Sequence, residues 1–385
     1  MRLAVFTDTF APHVNGVART LGSLVDAVRS RGGAATVVTV NTPAAAEELA
    51  GDIHRWPAMP FWLYPEHRIA APRIDAARRL LREWRPDLVH AATPFGIGLA
   101  ARAAARAEGV PLVSSYHTDF PSYLRYYRLE ALAGVAWPYL RWFHNGGQRT
   151  FAPTTIGAAQ LERRGFTGVR VWGRGVDRER FSPRHRSSSL RHALGVADRD
   201  LLFVSVGRLA PEKGVDTILE AARRLDAMPY GRIRLAFAGD GPAEDRYRKW
   251  SPAGTIFAGR LLGDALSEFY ASADAFVFAS TTDTFGNVLL EAMASGLPVI
   301  APDCGPTLGV ADASNALLCR SGDAGALAAA MQRLAGDAEL RMRFRARSLA
   351  TAAERDWARV WDVLFSEYES VLRGSALTAR VPAAA

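Results

Sequence analysis

Two carboxylates, Asp283 and Glu291, stand eight positions apart in the segment DTFGNVLLEAMASGLPVIA (283–301), soon after the apolar run DAFVFAS. Thr284 is the expected N-cap of a helix that Gly296 and Pro298 stop. Phe285, Gly286 and Asn287 then form its first turn, where unpaired backbone N–H groups and the positive helix end suit phosphate or hydroxyl oxygens. Glu291 lies one turn past Asn287 on the same face, and a carboxylate there can accept two hydrogen bonds from a vicinal diol such as a ribose. Asp283, just before the helix, can accept from sugar hydroxyls. The alternative is an ordinary capped helix with Glu291 as a solvated charge. The apolar run NVLLEAMASG argues against it, because an unpaired buried carboxylate is costly.

A second constellation is VGRLAPEKGVDTILEAA (206–222), where Arg208 leaves a strand end and Lys213 follows five residues on, beside Gly214. Two cations on a strand-to-helix loop fit a diphosphate, the guanidinium as a fork and the ammonium as a point charge. They can stabilise the charge of a departing nucleoside diphosphate. A surface loop with solvated basic residues fits the same letters. In DTFAPHVNGVARTL (8–21), Asn15-Gly16-Val17 enters a helix, so the amides at Gly16 can meet phosphate, although turn-to-helix entries of this kind are common. In SSYHTDFPSYLRYYR (114–128), His117, Thr118 and Asp119 fall just past a strand, followed by Tyr123, Tyr126 and Tyr127. His117 suits contact with a transferred sugar, and Asp119, Tyr123 and Tyr126 suit an acceptor surface. A lone loop histidine is as often structural.

The elements that must position these residues read the same way twice. Short apolar runs recur at 3–8, 34–40, 87–93 and 111–118, and again at 201–208, 233–241, 255–260, 274–280 and 298–303. Helix-like stretches such as 18–32, 98–109, 216–227 and 285–296 separate them. Nearly uninterrupted apolar strands alternating with helices indicate buried parallel sheets, here an α/β protein of two doubly wound Rossmann-like domains. In such sheets ligands sit beyond the carboxyl ends of the strands, where the segments above fall. A polar Arg- and Pro-bearing stretch, 174–200, reads as a linker with a short helix. The expected domains are 1–172 and 173–355. An amphipathic helix over 356–374 carries Trp357, Trp361, Leu364, Phe365 and Tyr368 on one face, and a disordered tail spans 375–385.

Composition removes several classes. The 385 residues are 49% apolar, a globular balance for two domains of ordinary size. Cys304 and Cys319 are the only cysteines and form no C-x-x-C, so neither a disulfide scaffold nor a zinc site is expected, and a cytoplasmic setting fits. No apolar stretch is long enough to cross a bilayer. The net charge of +8 suits an anionic partner, but no nucleic-acid recognition motif accompanies it. There is no P-loop, no G-x-G-x-x-G after the first strand and no G-x-S-x-G elbow. The one D-x-D string, Asp198 to Asp200, precedes a strand and reads as solvated, so a metal-chelated diphosphate is not expected. Phosphorylase chemistry would need pyridoxal phosphate on a lysine, and neither Lys213 nor Lys249, the only lysines, sits in a cofactor motif.

Together these segments resemble the retaining family 4 glycosyltransferases of the GT-B architecture. The resemblance spans nearly the whole chain and is carried by G-R-x-x-x-x-K-G at 207–214 and acidic-x7-Glu at 283–291, in that order. The first acidic position is Asp283, where many members carry Glu. The resemblance implies that Arg208 and Lys213 bind the donor diphosphate, that Glu291 holds the ribose, and that Asp283 contacts the donor sugar. It implies amide contacts from Thr284, Phe285, Gly286 and Asn287, phosphate approach by Gly16, and His117 beside the reacting sugar. The donor site is then expected in a cleft between the domains, with no cofactor and no metal, and with the C-terminal helix returning to the first domain.

The runs FTDTFAPHVNGVARTL, YHTDFPSYLRYY and TDTFGNVLLEAMASGLPV are similar to the mannosyltransferase and glycolipid-transferase branch. That implies GDP-mannose as donor, or else a UDP-hexose, and a lipid-linked hydroxyl as acceptor. The basic, aromatic stretch HRWPAMPFWLYPEHRIAAPR (54–73) suits peripheral contact with the inner face of a membrane, or equally a loop packed on its own domain.

Overall fold

The computed structural model describes residues 1–13, 15–42, 52–61, 64–122, 131, 133–225 and 233–379. The chain divides into two compact units, Met1–Gly173 with Val360–Ala385, and Arg174–Arg359. The first is built on seven strands in the order β3-β2-β1-β6-β7-β8-β9. They are β1 (Arg2–Phe6), β2 (Ala34–Val40), β3 (Ile53–Trp56), β6 (Leu88–Ala91), β7 (Leu112–Ser115), β8 (Arg149–Ala152) and β9 (Val169–Val171), and every pairing is parallel. The second unit has six, also all parallel, in the order β12-β11-β10-β13-β14-β15. These are β10 (Leu201–Val206), β11 (Ile233–Ala238), β12 (Ile256–Phe257), β13 (Ala275–Val277), β14 (Val299–Pro302) and β15 (Ala316–Cys319). Every residue of β6, β7 and β14 is buried, which is why these strands read as largely apolar runs, with His90, Ser114 and Ser115 as buried polar exceptions.

The apolar runs of the sequence coincide with β1, β2, β6, β7, β10, β11, β12, β13 and β14. Their periodicity did not reveal β3, β8, β9 or β15. In the stretch 54–73, read as a membrane contact or a loop packed on its own domain, the described residues are largely strand. Its first residues extend β3, where Trp56 packs edge-on against Phe6 in the core, and Ala58–Phe61 (β4) and Tyr64–Ala70 (β5) form an antiparallel ribbon. Asp200, read as solvated, is buried and accepts a hydrogen bond from the Ala197 N–H.

The last helix runs from Trp357 to Ala379, so residues 375–379, expected in a disordered tail, are helical, and 380–385 lie outside the described residues. It returns to the first unit through Trp361, Leu364, Tyr368 and Val371, all buried at helical spacing. Trp361 meets Trp172, and Tyr368 meets Phe151. At the margins Arg31 pairs with Asp362, while Arg149 and Arg170 converge on Glu367.

Asp8, just past β1, is a buried acid. The Thr93 hydroxyl donates to its Oδ2 at 2.6 Å and accepts from its N–H at 2.8 Å. Burial pushes the carboxyl up to about 6, against hydrogen bonds that pull it down. A native value above the unfolded 3.8 means that the folded state holds the proton more tightly. The associated stability is complete below about pH 4 and is lost as pH rises through about 6. Asp8→Asn, close in shape and uncharged, is expected to exceed the wild type in stability by about 1–3 kcal/mol at pH 8. At pH 4 that advantage should vanish. Urea titrations at the two pH values measure it.

Candidate active site

In the second unit the strand order reverses between β10 and β13, the edge of the sheet at which α/β proteins bind ligands. Both constellations of this unit leave those two strands. Beyond β10 the chain passes through Arg208 and tightens into a 3-10 turn, Pro211–Lys213. Beyond β13 it passes through Asp283 and enters the helix Asn287–Ala294.

The two loops are joined directly. Lys213 Nζ donates to Asp283 Oδ1 at 2.7 Å, with about a fifth of each side chain exposed (21% and 23%). The hydroxyls of Ser280 and Thr282 donate to the Glu212 carbonyl at 3.4 and 3.3 Å. Gly214 has φ +69°, and a Cβ there would lie 2.4 Å from the Ala279 carbonyl oxygen. Only glycine meets both demands, which explains the Lys-Gly dipeptide.

Arg208 NH1 lies 3.4 Å from Glu212 Oε1. Burial draws the Arg208 guanidinium below its ordinary value, and the carboxylates of Glu212 and Asp240 oppose that shift. Glu212 is 1% exposed. A buried acid held against Arg208 orients the fork, a role that sequence reading missed although Glu212 lies inside the motif.

Glu291 is 5% exposed and accepts from the Tyr270 hydroxyl at Oε2, 3.1 Å away. Tyr270, fully buried on the preceding helix Gly263–Ala271, carried no motif signal. The buried position agrees with the apolar context of Glu291 and disposes of the solvated-charge alternative.

The start of the helix differs from expectation. Thr284 is not the N-cap. Gly286 caps it with φ +78°, no side chain caps the first turn, and the helix begins at Asn287. Phe285 does not belong to the first turn either: its side chain is 4% exposed and lies in the core. The left-handed turn at Gly286 redirects the chain after Phe285 has been anchored, so helical geometry starts later than the polar pattern implies.

In the first unit Gly16 opens the helix Gly16–Ser30, with Asn15 as N-cap accepting from the Ala18 N–H at 2.9 Å. Asn15 Nδ2 donates to Thr9 Oγ1 at 2.8 Å, fixing the cap to the turn after β1. His117 follows β7, its Nε2 2.7 Å from Ser115 Oγ and its ring 5.5 Å from that of Trp172. Asp119 accepts from the Tyr116 and Ser122 hydroxyls at 3.0 and 2.6 Å, a local bracing role. Tyr123 and Tyr126 lie outside the described residues.

Two Rossmann-like units of this topology, with a cation-bearing loop and an acidic helix meeting at a strand-order switch and a last helix returned to the first unit, define a GT-B glycosyltransferase. The chain belongs to the family 4 glycosyltransferases. The model of Glycosyltransferase Family 4 matches residues 14–180 and that of Glycosyl transferases group 1 matches 200–337. The chain is 35% identical to a GDP-mannose-dependent alpha-mannosyltransferase of Mycobacterium tuberculosis, over 96% of its own length and 97% of that protein's. It is 33% identical to the sulfoquinovosyl transferase SQD2 of Arabidopsis thaliana, over 79% of its length and 60% of that protein's. In fold it matches sucrose-phosphate synthase from Thermosynechococcus elongatus with a TM-score of 0.80 and 19% identity, covering 97% and 99% of the two chains. The protein is therefore a hexosyltransferase.

Gly214→Ala is expected to cost about 2–4 kcal/mol, through a left-handed backbone and a backbone clash that cannot relax by rotating a side chain. Calorimetry should show a lowered Tm together with weakened nucleotide-sugar binding. A wild-type Tm would contradict the close approach to Ala279.

Proposed function

We propose that the protein transfers mannose from GDP-mannose, with retention of configuration, to a hydroxyl of a lipid-linked or glycolipid acceptor. The observation that carries this reading is the Lys213–Asp283 contact. It brings a diphosphate-binding cation and a sugar-binding carboxylate to one point, with Glu291 one helical turn beyond Asn287. Arg208 and Lys213 hold the diphosphate and offset the charge that develops on it as the glycosidic bond breaks. Glu291, braced by Tyr270, accepts from the ribose diol. Asp283 accepts from sugar hydroxyls and loosens its hold on Lys213 as the diphosphate takes that cation. The helix start at Gly286 and Asn287, with Thr284 and the Phe285 backbone, supplies amides to the sugar and phosphate.

Gly16 and His117 take the phosphate-facing and sugar-facing roles in the first unit, and Asp119, Tyr123 and Tyr126 the acceptor-side ones. A departing phosphate oxygen takes the acceptor proton on the face from which it leaves, so configuration is retained without a protein base. The family likeness and the GDP-mannose-dependent relative support mannose as the sugar, and the sulfoquinovosyl transferase supports a glycolipid acceptor. Such an acceptor places the enzyme in the cytoplasm at the inner face of the membrane. No described helix is long and apolar enough to cross a bilayer. Met59, 77% exposed on the β4–β5 ribbon, offers an apolar contact there.

A thermal-shift series with GDP, UDP, ADP and their sugars tests the donor. GDP-mannose is expected to stabilise most, by about 2.7 kcal/mol at a hundredfold excess over Kd. Stabilisation by a UDP-hexose alone would transfer the reading to that donor. Arg208→Ala, Lys213→Ala and Glu291→Ala are each expected to lower kcat/KM by about 100-fold or more. Wild-type rates in all three would end the assignment. Because the two cations carry the leaving-group charge, excess EDTA should leave the rate unchanged, and a rate abolished by EDTA and restored by a divalent ion would reassign that role to a metal.

A further inference from the structure

The helix Ala133–His144 buries Leu140, Phe143 and His144 and turns a different face to solvent. On that face Val135, Pro138 and Trp142 follow one another at helical spacing, and all three are exposed. Val135 is 69% exposed and Trp142 51%. Single apolar residues on a surface need no explanation, but an aligned row ending in a half-exposed tryptophan does.

Cations surround the row. The Arg102 guanidinium, from the helix Gly96–Glu108, lies 4.0 Å from the centre of the Trp142 ring. The turn after His144 is shaped to admit it, since a Cβ on Gly146 would stand 2.0 Å from Arg102 Nε. That Nε is buried and has no hydrogen-bond partner among the described residues. Burial, and then the charge of Arg106 one turn along the same helix, draw the guanidinium below its ordinary value. Arg106 is exposed, as is Arg141 beside Trp142. The helix Ala133–His144 contains no acidic residue. The one acid of Gly96–Glu108 is Glu108, which Arg78 and Arg82 engage. Among the described residues this surface is therefore apolar along its row and positive around it.

Such a surface fits one kind of partner. A tryptophan sits most favourably at the boundary between acyl chains and headgroups, with its ring in hydrocarbon and its N–H in water. Arginines at that depth reach outward to anionic headgroups. Trp142 stacked with Arg102 presents both groups at once. An anionic headgroup would also offset the two effects that disfavour the Arg102 charge, and an uncharged surface would leave both in place.

We propose that Val135, Pro138 and Trp142, with Arg102, Arg106 and Arg141, form a docking face for an anionic lipid surface. Its purpose rests on the glycolipid acceptor of the proposed function, because an acceptor of that kind is held in a bilayer. The binding itself is measured without donor or acceptor.

Co-sedimentation of the full-length protein with vesicles of phosphatidylcholine, alone or mixed equally with phosphatidylglycerol, tests the face. The mixed vesicles are expected to bind about tenfold more tightly or better, with affinity falling as salt rises. Trp142→Glu and Val135→Glu should each weaken that binding by about tenfold or more. Arg141→Gln should weaken it by about fivefold, the share of one basic group. Met342, 64% exposed on the helix Ala338–Glu354 of the second unit, provides the control, and Met342→Glu should bind as wild type does. All four variants should keep the wild-type Tm and the wild-type thermal shift with nucleotide sugar. Equal binding to both vesicle types, wild-type binding by Trp142→Glu and Val135→Glu, or an equal loss in Met342→Glu overturns the proposal. Self-association without vesicles that Trp142→Glu abolishes also overturns it, by giving the face to a second copy of the chain. A donor screen that favours a UDP-hexose corrects the proposed donor and leaves the vesicle result standing.

Discussion

The contact between Lys213 and Asp283 joins the two loops that follow β10 and β13 in the second unit. A cation and a carboxylate with about a fifth of each side chain exposed attract one another more strongly than they would in open water, because little solvent screens them. Their meeting requires two loops from neighbouring strands to lie against each other. Gly214 permits it by bringing the backbone of one loop onto the Ala279 carbonyl of the other, and the Ser280 and Thr282 hydroxyls close the seam on the Glu212 carbonyl. The parallel register of β10 with β13 sets the spacing between the loops, so sheet order reaches the site through backbone geometry before any side chain is considered.

The buried acids of this unit are tolerated for related reasons. Glu291 is paired with the Tyr270 hydroxyl, and Glu212 lies against the Arg208 guanidinium. A carboxylate lacking such a partner inside an apolar helix face would cost several kcal/mol, of order 2–7 even for a neutral polar group. Each acid therefore comes with a side chain that holds it in one orientation before a ligand arrives. Preorganisation of this kind is what the proposed donor site requires, because groups already aimed need not reorganise during a reaction.

The first unit combines the same economy with a different scaffold. Its C-terminal helix contributes an apolar stripe, Trp361, Leu364, Tyr368 and Val371, but the Tyr368 hydroxyl turns that packing element into the end of a polar line running to His117. A phenylalanine would fill the same space. The hydroxyl is thus the part of this helix that packing alone does not explain.

Much of this protein was legible in its letters. Largely apolar strands alternating with helices specify parallel sheets in duplicate, because a strand buried on both faces has room for few polar positions, and ligands in such sheets sit beyond the strand ends. The loops and helix that carry Arg208, Lys213, Asp283 and Glu291 could be placed beyond strand ends on that ground. Strands β3, β8, β9 and β15 were not legible: the first three carry Arg or His among their few residues (IHRW, RTFA and VRV), and none stood out from the segments around it. The N-cap was misplaced because Gly286 adopts a left-handed turn that no polar pattern announces. Tertiary structure alone decided which side chains meet: Lys213 with Asp283 across 70 residues, and His90 with Tyr368 across 278. Periodicity is a property of neighbours in the chain. Contacts between distant residues depend on strand order and register, which take form only when the sheet is assembled.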